Sequence, residues 1–148
     1  MDNHYSKSHK KSYTTPERMK IGTNGDCRVI DGFKWNINDV CINPDEVVIC
    51  NDKATYLVIR LAKTDYSWEY GIDVGIDTPG CCWLPRYSGK FDNESSTSRE
   101  GALEKAIRYC LKSIKEKKEW DKDMTDVWSG KLKKHLMQAM QLDLFTNN

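Results

Sequence analysis

Clustered metal ligands are missing from this 148-residue sequence. None of its six cysteines (Cys27, Cys41, Cys50, Cys81, Cys82 and Cys110) forms a Cys-x-x-Cys pair, and the three histidines (His4, His9 and His135) lie near the chain ends. That scatter is poor zinc spacing, so neither a metal nor another cofactor is expected. Long apolar runs are absent too. No stretch is long enough to span a bilayer, and Met1-Asp2-Asn3-His4-Tyr5-Ser6-Lys7 lacks the apolar core of a signal peptide. The expectation is a cytoplasmic protein with free thiols and no membrane partner. An excess of charge of either sign is lacking too. A formal net charge of +1 excludes a strongly basic protein, so any DNA contact must come from a local patch. Gly22-Thr23-Asn24-Gly25-Asp26 is followed by no Gly-Lys-Ser/Thr and reads as a turn, not a phosphate loop. Only His135 lies outside the N-terminal tail, which leaves Cys81, Cys82 and the serines without a ready base. No catalytic residue is assigned, and the expectation is a protein that is not an enzyme.

What remains is a balance of 39% apolar and 30% charged residues, enough for one globular domain with tails. Residues 1–20, rich in Lys, Ser, His and Tyr, bury too little to order themselves and are expected to form a disordered basic tail. Beyond them the period is two. Val47 to Cys50 is a short apolar run, and Thr55 to Ala62 is β-branched and aromatic, the expected central strand. Trp68, Tyr70, Ile72, Val74 and Ile76 alternate with Glu69, Gly71, Asp73, Gly75 and Asp77. This predicts an antiparallel strand with one face packed and one wet. Cys81 to Tyr87 is expected to pair as a further strand as far as Pro85. A helix follows, with Thr97 and Glu100 as its capping box and Ala102, Leu103, Ala106, Ile107, Cys110, Leu111 and Ile114 as its apolar stripe. A second helix is expected over about residues 125–140, with Gly130 as its weak point. Strands first and helices after give an α+β class: an antiparallel meander of about three to five strands covered by one long helix, with a second, C-terminal helix. The expected division is a tail at 1–20, an α+β domain at 21–118, a helix at 119–140 and a docking peptide at 141–148. Edge strands of a short meander offer a route to a dimer.

Two surfaces invite a site. Glu69, Asp73 and Asp77 are acidic, but alternate residues on a strand lie ~7 Å apart and every fourth ~13 Å, too far to share one ion. A solvated face explains them better. Trp83-Leu84-Pro85-Arg86-Tyr87-Ser88-Gly89-Lys90-Phe91 interleaves aromatics with bases, so Arg86, Tyr87 and Lys90 are the candidate nucleic-acid contacts. The competing expectation is that its aromatics pack back onto the sheet.

The most informative segment is Gln141-Leu142-Asp143-Leu144-Phe145, followed by Thr146-Asn147-Asn148. An extended or loosely helical peptide of this kind places Leu142, Leu144 and Phe145 in an apolar groove while Gln141 hydrogen-bonds at its rim. The pentapeptide resembles the motif by which bacterial replication and repair proteins bind the DNA sliding clamp. The resemblance implies partner-binding roles for Gln141, Leu142, Leu144 and Phe145. Against it stands the four-residue recurrence of Trp128, Leu132, Leu136, Met140 and Leu144, one face of a helix that docks on its own domain. The body, about residues 55–114, loosely resembles small α+β accessory domains of plasmid and phage proteins, including the HicB-type antitoxin meander plus helix. The features that carry this are Leu57-Val58-Ile59-Arg60, Trp68-x-Tyr70-Gly71 and Ser98-Arg99-Glu100-Gly101-Ala102. Together the resemblances imply a non-enzymatic accessory protein of bacterial or phage/plasmid DNA metabolism that docks on the sliding clamp. The alternative is an antitoxin-like or defence-related interaction module.

Overall fold

Asp31 and Gly32 both hold positive φ, 49° and 89°, the combination that a tight two-residue hairpin turn requires. They join β1 (Arg28–Ile30) to β2 (Phe33–Trp35), paired from Arg28↔Trp35 to Ile30↔Phe33. The chain then forms β3 (Asp45–Asp52), β4 (Thr55–Lys63), β5 (Trp68–Ile76), β6 (Cys82–Trp83), α1 (Arg99–Glu116) and α2 (Lys122–Thr146). The computed structural model describes residues 28–52, 55–76, 82–87 and 92–146, with no account of side chains beyond Leu142. The class is α+β. A four-stranded antiparallel sheet runs in sequence order, β3-β4-β5-β6, and the β1–β2 hairpin forms a second sheet.

Parity along the strands sorts their side chains into two layers. Leu57, Ile59 and Leu61 of β4 join Ile72 of β5 in one apolar cluster with Ala102, Leu103, Ala106, Ile107 and Cys110 of α1 and Trp128 and Leu132 of α2. The apolar stripe expected of α1 is thus its buried face. The helix begins one residue later than the expected capping box. Ser98, in extended backbone, is the N-cap, and its hydroxyl accepts from Gly101 N–H at 3.0 Å. Asp121 immediately precedes α2, its carboxylate accepting from Met124 N–H at 2.9 Å.

The opposite layer corrects the wet face expected of β5. Glu69, Gly71, Asp73 and Gly75 are all buried. Alternation shows which residues face the helices, but not whether something covers the other side. Here the cover is the β1–β2 hairpin with the segments around 36–42 and 84–87. Trp35, Cys41 and Ala62 form a small core there, packed against Ile30, Phe33 and Tyr87. Trp35 Nε1 donates to the Lys63 carbonyl at 3.0 Å, and Cys41 N–H donates to the Pro85 carbonyl at 3.1 Å. The two glycines of β5 sit opposite the largest side chains of β4: Gly71 pairs with Arg60 and Gly75 with Tyr56. The further strand expected from Cys81 to Pro85 is shorter among the described residues. Only Cys82 and Trp83 pair with β5, and the chain then peels off to cover Gly71.

Candidate functional site

Residues recurring every fourth position drift ~40° around a helix at each step, since one turn takes about 3.6 residues. The drift decides which part of α2 belongs to the core. Trp128 and Leu132 are buried and Leu136 is half-buried, but Met140 is 43% exposed, its place on the inner face taken by Ala139. From Met140 to Leu142 the helix therefore presents exposed side chains. Gln141 is exposed, Leu142 is 52% exposed, and Met137, one turn before, is exposed as well. The helix runs on through the pentapeptide to Thr146, beyond the boundary expected at residue 140. The side chains of Leu144 and Phe145 lie outside the described residues.

Little in the local sequence holds these last turns. The final carbonyls of a helix have no partner within it, and cations near them are stabilising by about 0.3–1 kcal/mol. The last turn of α2 carries no basic residue, and Asp143 adds an acid at the negative end of the dipole. His135, three turns earlier, is half-buried and its pKa is lowered, by burial first and by Lys134 second. Exposed apolar and amide groups thus sit beside a last turn that lacks a stabilising cation.

The second candidate surface is engaged within the fold. Tyr87 packs edge-on against Trp35 at 5.4 Å between ring centroids, and its hydroxyl donates to Asp65 at 2.8 Å. The Arg28 guanidinium lies 4.2 Å above the Tyr87 ring and is bridged to Asp39 at 2.8 Å. Arg86 is exposed and bridges to Val40, while Lys90 lies outside the described residues. A base stacking on Tyr87 would have to displace Arg28. Asp31, Asp39 and Asp65 alternate with the cations around it, a surface of mixed sign that does not single out phosphate.

A third constellation was not anticipated. Arg60 is fully buried on the covered face of the sheet, and its Nη1 donates to Asp73, also fully buried, at 2.9 Å. Its Nη2 lies 3.2 Å from Glu46 Oε2, an ion pair outside hydrogen-bond geometry, and Cys82 Sγ is 3.9 Å from Nη1. Burial lowers the guanidinium's proton affinity, but Asp73, with lesser help from Cys82 and Glu46, turns the net shift upward. Glu46 goes the other way from an ordinary acid. Burial outweighs the attraction of Arg60, and its carboxyl is pushed up to about 7. The cue was present in the sequence: a lone Arg60 inside an apolar strand demands a counter-charge on its own face, and Asp73 sits on the next strand at the right parity.

The Glu46 shift has a testable sign. Folded, the carboxyl holds its proton to about pH 7; unfolded, only to its ordinary 4.5. Its contribution to stability is therefore full below pH 4.5, declines as pH rises through 7 and stays low above. Glu46→Gln is expected to raise Tm at pH 8 by about 2–4 °C, the scale of 1 kcal/mol in a domain of this size. At pH 4.5 it should change nothing. Calorimetry at the two pH values checks this, and an equal shift at both would contradict it.

Glu69, the other buried acid of β5, accepts from Ser95 Oγ at 2.8 Å, and the Lys105 ammonium donates to the carbonyls of Asn93 and Ser95. These contacts pin the segment before α1. Among the described residues no group of three or more His, Cys, Asp or Glu is placed to hold a metal ion. No described helix is long and apolar enough to cross a membrane. No family model, no curated protein and no solved structure matches the chain.

Proposed function

We propose that this chain is a non-enzymatic accessory protein of bacterial or phage/plasmid DNA metabolism that docks on the DNA sliding clamp through Gln141, Leu142, Leu144 and Phe145. The observation that supports it is the end of α2. The helix keeps its core contacts through Ala139 and then presents Met140, Gln141 and Leu142 outward. An apolar side chain and an amide exposed on a weakly held helix end are the elements that peptide docking in a groove requires. The α+β body, with its buried ion cluster and pinned loops, is a rigid platform that engages DNA or a second protein while the terminus is tethered.

Gln141→Ala/Leu142→Ala in the full chain is the direct test. Both side chains point to solvent, so stability should stay within about 0.5 kcal/mol of the parent. Co-elution with a bacterial sliding clamp should be lost. Retained co-elution, or a large fall in Tm, would contradict the assignment. Silence toward the clamp with co-purification of a small toxin or nuclease would favour the antitoxin-like alternative.

A further inference from the structure

Toward the C-terminal end of α1, between the sheet and both helices, lies a cleft of about 390 Å³, half open to solvent. Ile72, Val74 and Ile76 of β5 form one wall, and Ile114 of α1 and Trp128 of α2 another. Two edge-to-face aromatic pairs brace it: Trp83 with Tyr109 at 5.5 Å, and Trp120 with Trp128 at 6.0 Å. Its volume falls in the range of small-molecule sites, about 300–1,000 Å³.

The polar side chains of the lining are not scattered. Tyr109, Ser113 and Lys117 recur at four-residue spacing along α1 and its C-cap, so they mark one rim of an otherwise apolar chamber. Cys110 beside them is buried and its thiol is pushed up to about 12, which keeps it neutral. Of the charged residues at 112–119, Lys117 lines the cleft. Its full positive charge exceeds the partial negative charge of the helix C-terminus, about half a unit. The chamber selects an apolar body, and the rim selects a negative head.

We propose that this cavity binds an amphipathic carboxylate, a medium-chain fatty acid or an aromatic acid of similar size. Its apolar part lies between Trp83 and Trp128, and its carboxylate lies at Ser113 and Lys117. The assignment is independent of clamp docking, which uses the other end of α2.

The five tryptophans make the test selective, because Trp83, Trp120 and Trp128 line the cavity and Trp35 and Trp68 do not. The full chain labelled with 5-fluorotryptophan is titrated with decanoate below its micelle concentration and followed by fluorine NMR. The three cavity resonances should shift saturably while the other two stay fixed. Lys117→Glu, a surface change that leaves folding intact, should weaken decanoate at least tenfold, and decyltrimethylammonium should bind the parent at least tenfold more weakly than decanoate. Ser113→Phe, which fills the chamber, should abolish the shifts. Absence of saturation, shifts spread over all five resonances, or equal affinity in Lys117→Glu would overturn the proposal.

Discussion

Arg60→Leu is expected to cost about 3–5 kcal/mol, because it strands the Asp73 carboxylate in a fully buried site without the guanidinium that neutralises it. A domain of this length is stable by only about 5–15 kcal/mol, so the variant sits near the unfolding threshold. The loss arises from an uncompensated charge, and the net worth of the pair is much smaller, since both groups gave up water to form it. The double variant Arg60→Leu/Asp73→Leu should therefore recover much of the deficit, and urea melts of the two singles and the double would measure the coupling. If the double were as unstable as the sum of the singles, the pair would not be acting as a unit.

The second large effect is at Gly71. A Cβ added there would stand 2.3 Å from the Trp83 carbonyl oxygen and 2.8 Å from the Leu84 carbonyl carbon. Both are backbone atoms, so no rotamer relieves the clash; β6 and the segment after it must lift off β5. Gly71→Ala should cost about 3 kcal/mol, the upper range of overpacking in a core. Gly75→Ala is a milder case, since the atoms it meets belong to the Tyr56 ring, a side chain. Gly130 in α2 has nothing within 4 Å of its added Cβ, and Gly130→Ala should stabilise the helix by about 1 kcal/mol. Denaturant unfolding of the three variants checks the order. A neutral Gly71→Ala would mean that the 82–87 segment does not lie against β5.

Periodicity made the α+β class, the strand from Thr55, the Trp68 strand and the helix after Ser98 legible in the sequence. The Trp68 strand and the helix have runs long enough for one period to dominate, and the Thr55 strand was marked by its β-branched and aromatic content. The covering layer was not legible, because its parts are short. A three-residue strand carries no measurable period, so β1 and β2 had only the Asp31-Gly32 turn to announce them. Missing that layer, and the Ser95 segment that partners Glu69, is what made Glu69 and Asp73 read as solvated. The ion cluster had a cue in the lone Arg60 of an apolar strand, but the covered face that makes its pairing with Asp73 a buried one had none. In α2 the four-residue recurrence overstated the docked face. Forty degrees of drift per step turns a stripe that starts in the core at Trp128 outward by Met140. The identities of the pentapeptide come from the sequence; the exposure of Gln141 and Leu142 comes from the structure, and the side chains of Leu144 and Phe145 lie outside the described residues.

Clamp docking is tested most directly by titrating a bacterial sliding clamp into a fluorescent peptide spanning Lys134–Asn148, with the Leu144→Ala/Phe145→Ala peptide alongside. Saturable binding that disappears in the substituted peptide is the predicted result. Equal binding by both peptides, or none by the parent peptide and the intact protein, would contradict the proposal and return the helix end to its own domain.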